Sequence, residues 1–233
     1  MIIRTLADKT VVKIEIPIKN EDKFIAKNPT GGFSIVASLP DAKYLYWKLN
    51  AKGKITPDAA KILAKDKLVK ISNARNKLIS SLQSIPVVNL KGDKFILANN
   101  LQDQTNSLLA VSTSQQVLQS PAYKVSTTYE LNDVVNLNST ILICSTAGKT
   151  DSSACTPPTD FGVEVKDGTA GWKLFGQLLG LEPTGAQFFT PQDVIYLTAQ
   201  SNEYITNQRQ WYGKIKAQIK ACTTQADLDK VVW

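Results

Sequence analysis

Histidine is absent from the 233 residues. That removes Ser-His and Cys-His nucleophile systems, histidine metal sites and histidine acid–base work. Paired carboxylates or a Ser-Lys pair stay chemically open, but no spacing marks either. The chain is therefore expected to be non-enzymatic, with no cofactor and no metal. Long apolar runs are missing too: none approaches the ~18 residues of a membrane span, so no membrane insertion is expected. The opening Met-Ile-Ile-Arg lacks a signal-peptide pattern, so synthesis in the cytoplasm is expected. Only three cysteines are present, and they cannot all pair. Three reduced thiols are the expectation for a cytosolic chain; a Cys144–Cys155 bridge across one loop, with Cys222 free, is the alternative.

What is present suffices for a core: 43% of the residues are hydrophobic, and the length suits one large or two small domains. The net charge of +7 is uneven. Residues 1–77 hold 16 Lys+Arg against 7 Asp+Glu, a balance of +9, and residues 78–233 hold 11 against 13, a balance of −2. A basic half can face an acidic partner or nucleic acid. Without an arginine cluster or a nucleic-acid motif, the reading preferred here is a solvated lysine face, and nucleic acid is not the expected partner.

The strongest pattern runs from Thr190 to Cys222. Val194, Leu197, Tyr204, Trp211, Ile215, Ile219 and Cys222 recur at steps of three, four and seven, one apolar stripe on a helix of roughly eight turns. Thr190 caps it, Pro191 fits its first position, and Asp193 sits three beyond the cap. Thr223-Thr224 opens a second short turn through Asp227. The apolar end Val231-Val232-Trp233 is expected to dock.

Upstream, residues 1–55 read as mostly β. Lys13-Ile14-Glu15-Ile16 alternates, Pro17 places that strand at a sheet edge, and Phe33–Leu39 is a further strand candidate. Lys43–Leu49 alternates bulky and charged residues before a turn at Asn50–Gly53; its aromatics read as core or interface anchors. Thr56-Pro57-Asp58 repeats the cap device, predicting a helix over 57–64 and a longer one over 67–82, ended by Pro86. Lys91-Gly92-Asp93 between apolar runs is a hairpin signal. Helical spacing returns from Leu101 to Leu118. Residues 120–178 hold β formers and a Ser/Thr/Gly/Pro loop without helical periodicity, and Gly180–Gly185 reads as a linker.

Two resemblances follow. Ala74–Leu78, the hairpin Val88–Phe95, Asp103 and Leu108, the Thr190-Pro191-Gln192-Asp193 helix start and the terminal Ile215–Trp233 pattern together resemble a domain of unknown function at the C-terminal ends of bacteriophage tail-fibre and tail proteins. It carries no catalytic residues. Tyr123, Tyr129, Asp133, Val134, Val135, Cys144, Asp167, Gly168, Thr169 and Trp172 resemble the small carbohydrate-binding-like, chitin-binding-module-like β inserts of phage fibres. Asn132 and Ser139 stand where that pattern has glycines, and Leu142 where it has an aromatic. Sugar recognition needs exposed aromatic faces; Tyr123, Tyr129 and Trp172 either supply them or form the module core.

The expected fold is α+β. An N-terminal β-rich attachment domain covers 1–55, helices plus a hairpin 56–119, an inserted β module 120–178, and a long helix with a terminal turn 179–233. Val194, Leu197, Tyr204, Trp211, Ile215 and Ile219 are expected to pack a small helical bundle or a homo-oligomer. The resemblances imply a non-enzymatic component of a tailed-phage virion, in a tail fibre or at the baseplate. Its implied partners are other tail or fibre proteins and a host-surface glycan. A fibre-assembly chaperone and a head-fibre or capsid-decoration protein are the alternatives.

Overall fold

The computed structural model describes residues 1–14, 21–99, 101–181 and 185–232 and has an α+β fold. Glu15, Ile16, Pro17 and Trp233, singled out above, lie outside the described residues. The chain forms two compact units, Met1–Arg75 with Lys214–Trp233, and Asn76–Gly213.

The first unit begins with β1 (Ile2–Thr5), β2 (Thr10–Lys13), α1 (Glu21–Lys27), β3 (Phe33–Ile35), β4 (Trp47–Leu49) and β5 (Ile55–Pro57). The five strands form an antiparallel sheet in the order β3-β1-β2-β4-β5. Ile3, Val11 and Trp47 make its core, and the Trp47 indole donates to the Pro40 carbonyl at 2.7 Å. The N-terminal stretch is not wholly β: Glu21 and Asp22 in the first turn and Lys27 in the last favour a short helix, α1. Nor does Lys43–Leu49 run as one alternating strand. Tyr44 and Leu45 take left-handed φ values of 60° and 55°, a turn that sends both Lys43 and Tyr44 to Asp66.

One helix, α2 (Ala59–Gln83), replaces the two expected. Ala64-Lys65-Asp66 contains no breaker, so propagation through it is favoured over a new nucleation. Its cap is Asp58, whose carboxylate accepts from the Lys61 backbone N–H at 3.2 Å. Thr56-Pro57, expected to cap, instead closes edge strand β5 opposite Lys48 and Trp47, where the missing proline N–H removes no ladder bond.

The second unit continues with β6 (Ser84–Val88), β7 (Lys94–Ala98), α3 (Leu101–Val117), β8 (Thr128–Tyr129), β9 (Val134–Leu137), β10 (Thr140–Thr146) and β11 (Gly148–Lys149). After them come β12 (Val165–Asp167), β13 (Ala170–Leu174), β14 (Gln177–Leu181), β15 (Gly185–Phe189) and α4 (Pro191–Ala221). The expected hairpin is β6–β7, turned by Asn89, whose side-chain oxygen accepts from the Lys91 and Asp93 amides at 3.0 and 2.8 Å. Of the stretch expected as a linker, Gly180 and Leu181 end β14 and Gly185 begins β15; residues 182–184 lie outside the described residues. These two strands extend the hairpin into a four-stranded sheet, β15-β14-β7-β6. The boundary expected at residue 178 thus falls inside a strand.

That sheet changes what α4 packs on. Ile85, Val87, Leu97, Leu179, Leu181 and Phe189 from the sheet, Ala110 from α3 and Val194 and Leu197 from α4 form one core, with Tyr204 against it. The stripe was expected in a helical bundle; its first half is buried by a sheet. Each fully buried leucine or valine there contributes about 1.5–3 kcal/mol. Thr190 caps α4 as expected: its hydroxyl accepts from the Asp193 N–H at 3.1 Å and donates to the Asp193 carboxylate at 2.7 Å. Further along, Lys77 lies over the Trp211 ring and the Ser81 hydroxyl donates to Gln208.

The last residues of α4 return to the first unit, where Ile215, Ile219 and Cys222 are buried. There α5 (Gln225–Lys230) is held by a capping box between Thr224 and Asp227, and it buries Leu228. Lys67 and Lys70 on α2 donate to the carbonyls of Lys220 and Leu228, supplying cations to two helix C-termini. The chain end does not dock at Val232, which is 78% exposed.

Candidate functional site

The module between α3 and β14 has its own core. Strands β12-β13-β10-β9 form its sheet and β11-β8 a second ribbon. Tyr129, Val135, Leu137, Leu142, Cys144, Ala170 and Trp172 are buried together, apart from the core under α4. The three aromatics singled out as a sugar platform or a core are brought into one cluster. Tyr129 meets Trp172 edge-on at 4.9 Å, Tyr123 meets it edge-on at 5.7 Å, and the two tyrosines stack at 6.1 Å. Trp172 is fully buried and Tyr129 nearly so, which leaves neither a face for a pyranose ring. Tyr129 and Trp172 are placed as module core, and Tyr123 packs half-buried against them.

The hydroxyls explain the packing. The Tyr123 hydroxyl donates to the buried Asp167 carboxylate, which also accepts from the Asp151 amide at 2.9 Å. The Tyr129 hydroxyl accepts from the Lys124 amide at 2.8 Å. Gly168 turns β12 into β13 at φ +61°, and a Cβ there would stand 2.3 Å from the Lys149 carbonyl oxygen. Asp167-Gly168-Thr169 is thus a knot tying the hairpin to the 149–151 loop. The thiols of Cys144, Cys155 and Cys222 are free, and burial pushes those of Cys144 and Cys155 upward.

A polar cluster sits at the β10–β12 side. Glu164 pairs with Lys166 at 2.7 Å and accepts from the Ser145 hydroxyl at 2.6 Å and the Thr146 hydroxyl at 3.0 Å. The Lys166 ammonium and the two hydroxyls bring its carboxyl down to about 2. The serine thereby donates to a carboxylate that stays ionised. In the first unit, burial raises the Asp66 carboxyl, but hydrogen bonds from Lys43 at 2.7 Å and Tyr44 at 2.5 Å outweigh it and hold the carboxyl below the usual range. Among the described residues, no group of three His, Cys, Asp or Glu side chains could hold a metal, and no helix is long and apolar enough to cross a membrane.

Two features were missed in the sequence. The first is an apolar patch. Leu178 and Phe188 are cross-strand partners on the outward face of β14–β15, each 51% exposed. Phe161 from the module lies 5.9 Å from Phe188, with exposed Val163 nearby in sequence. Gly176 makes room for it, since a Cβ there would stand 2.6 Å from the Phe161 ring. Pro86 and Ile96, paired on β6–β7, extend the same outward face. Period-two alternation in 177–189 was the available signal; reading 180–185 as a linker concealed it.

The second is a cleft of about 490 Å³ where α2, α3 and α4 meet at the end of the sheet. From α4 come Thr198, Ser201, Asn202, Ile205 and Arg209, a helical stripe beside the core stripe. This second stripe was readable at steps of three, four, seven and eleven, but a polar stripe reads by default as solvent-facing. Compared with protein-family models, curated proteins and solved structures, the chain has no match.

Proposed function

We propose that this chain is a non-enzymatic structural component of a tailed bacteriophage particle, tail-fibre or baseplate-associated, that works through protein–protein contacts. The observation that carries the reading is the exposed patch of Phe161, Leu178 and Phe188, with exposed Val163 close to Phe161 in sequence. Patches of this kind on a folded surface mark contact sites for other proteins. The resemblance of Ala74–Ala110 and Thr190–Trp233 to tail-fibre C-terminal domains supplies the biological setting. In this reading the partners are other tail or fibre proteins or further copies of the chain, and the module is a contact unit carried on the helix–sheet body. A host glycan, if one is bound, would have to meet residues other than Tyr129 and Trp172, both buried.

Mass spectrometry and cryo-EM of purified particles test this directly. The protein is expected as a stoichiometric component, and its absence from finished particles overturns the proposal. The +9 balance of residues 1–77 favours one second reading, an assembly chaperone for an acidic fibre segment. A chaperone copurifies with fibre protein from lysate yet is missing from the particle.

A further inference from the structure

The three-helix cleft has a construction that surface texture does not demand. Three helices each turn one helical stripe toward it: Ile79 and Leu82 of α2, Gln104 and Leu108 of α3, and the Thr198-to-Arg209 stripe of α4. Its floor is apolar, made by the buried Ile85 and Leu97. Its mouth is apolar too: Leu108 is 71% and Ile79 47% exposed. Large aliphatic side chains held in water beside a hollow are surface that an occupant would cover.

The polar groups are selective in sign. Arg209 stands at the rim and makes no ion pair or hydrogen bond with any described residue. Among the described residues no carboxylate lines the cleft. Thr198, Ser201 and Asn202 line the same cleft and offer neutral donors. A volume of about 490 Å³ lies within the range of small-molecule sites and is short of what an extended peptide needs.

We infer that this cleft binds a small amphipathic anion, an alkyl or aryl chain ending in a carboxylate, with the chain on Ile85, Leu97 and Leu108 and the carboxylate on Arg209. Arginine suits the head group because its planar fork meets a carboxylate with two parallel N–H donors. The alkyl chain supplies most of the affinity by covering Leu108 and Ile79; the guanidinium supplies the preference for an anion over an alcohol or an amine. This site is independent of the exposed patch on β14–β15 and does not depend on the particle assignment.

Octanoate, octanol and octylamine separate the two contributions. Each is titrated into the full chain by calorimetry and by methyl-resolved NMR. Octanoate is expected to bind more tightly than octanol and octylamine, and to shift the Ile79, Leu108 and Ile205 methyls. Arg209→Gln changes an exposed residue and keeps the fold; it should weaken octanoate about tenfold, the weight of one charge-assisted pair, and leave octanol unchanged. Thr198→Phe, which fills the cleft, should remove binding of both. The inference is overturned by no octanoate binding to the parent chain, by equal binding of octanoate and octylamine, by an unchanged affinity in Arg209→Gln, or by shifts centred on Leu178 instead.

Discussion

Truncating Trp172 tests whether the β module opens by itself. Its indole is fully buried and lies edge-on to Tyr129 at 4.9 Å and to Tyr123 at 5.7 Å. Buried tryptophan-to-alanine changes cost about 3–5 kcal/mol. Trp172→Phe should behave differently. The indole N–H has no hydrogen-bond acceptor among the described residues, and a buried unpaired donor costs about 1–3 kcal/mol. Removing it offsets much of the lost contact and of the small cavity left behind, so Trp172→Phe should fall within about 1.5 kcal/mol of the parent. The structure supplies two reporters. Cys144 is buried in the same core as Trp172, and Cys222 is buried in the other compact unit. Thiol labelling resolved peptide by peptide reads the open fraction around each. Trp172→Ala should accelerate labelling at Cys144 by roughly two to three and a half orders of magnitude, and Trp172→Phe by about tenfold at most. Neither should alter Cys222. Equal acceleration at both thiols would show that the module opens only together with the rest of the chain. If the phenylalanine variant is as damaged as the alanine one, the indole N–H must be bonded. Either result refutes the reasoning.

Three further perturbations reach other parts of the fold. The Gln200 amide accepts from the Val88 N–H at 3.2 Å and donates to its carbonyl at 2.6 Å, closing the end of edge strand β6; Gln200→Leu should cost about 1–3 kcal/mol in urea unfolding. Glu164 has its carboxyl lowered from 4.5 to about 2, so its contribution is complete above pH 4.5 and is lost as pH falls toward 2. Calorimetric melting should therefore fall through that acid window in the parent and change less in Glu164→Gln. The double change Leu178→Ser with Phe188→Ser alters two exposed side chains and should shift stability by no more than about 0.5 kcal/mol each. It should abolish assembly with the tail partner or with further copies, read by sedimentation; intact assembly removes the patch as the contact.

The elements that were legible are those whose local signals and tertiary needs agree. Helix α4 has a cap, a proline, an acid and an unbroken stripe, and all four point to one start and one buried face. The hairpin β6–β7 is set by its own turn, and α5 by its own capping box. What failed was decided at a distance. Thr56-Pro57-Asp58 looks locally like Thr190-Pro191-Gln192-Asp193, but pairing of Pro57 with Trp47 draws it into a strand and passes the cap to Asp58. The left-handed turn at Tyr44–Leu45 is supported by a carboxylate on α2, more than twenty residues downstream. Gly180 and Gly185 read as punctuation, yet they pair across β14–β15 with Ala186 and Leu181. For the candidate site, Tyr123, Tyr129 and Trp172 lie in one cluster, but residue type alone could not separate a platform from a core. The cleft was hidden because it is shared by three helices far apart in sequence.

The module's attachment explains how a β unit can sit inside a helix–sheet body without disrupting it. The incoming chain bonds to Asn136 twice: the Tyr123 N–H donates to the Asn136 carbonyl at 2.9 Å, and the Asn136 N–H to the Pro121 carbonyl at 2.9 Å. The outgoing chain bonds to Ile141, whose carbonyl accepts from the Phe175 N–H at 2.9 Å. Asn136 and Ile141 are themselves paired across β9 and β10. Both ends of the module therefore flank a single rung of its sheet, three strand spacings or about 14 Å apart. A six-residue Gly/Ser linker has a root-mean-square span of about 13 Å and can close that gap. Replacing residues 122–175 with such a linker should leave the core of Ile85, Leu97, Leu179, Phe189, Val194 and Leu197 intact. The losses among the described residues include the Gln192 amide's hydrogen bond to the Ser139 carbonyl at 3.0 Å, the Phe161–Phe188 ring contact and the packing of Phe161 on Gly176. The shortened chain should keep its helical circular dichroism and unfold in one cooperative transition, destabilised by about 1–2 kcal/mol. A chain that no longer unfolds cooperatively would show that the β14–β15 strands depend on the module for their place beneath α4.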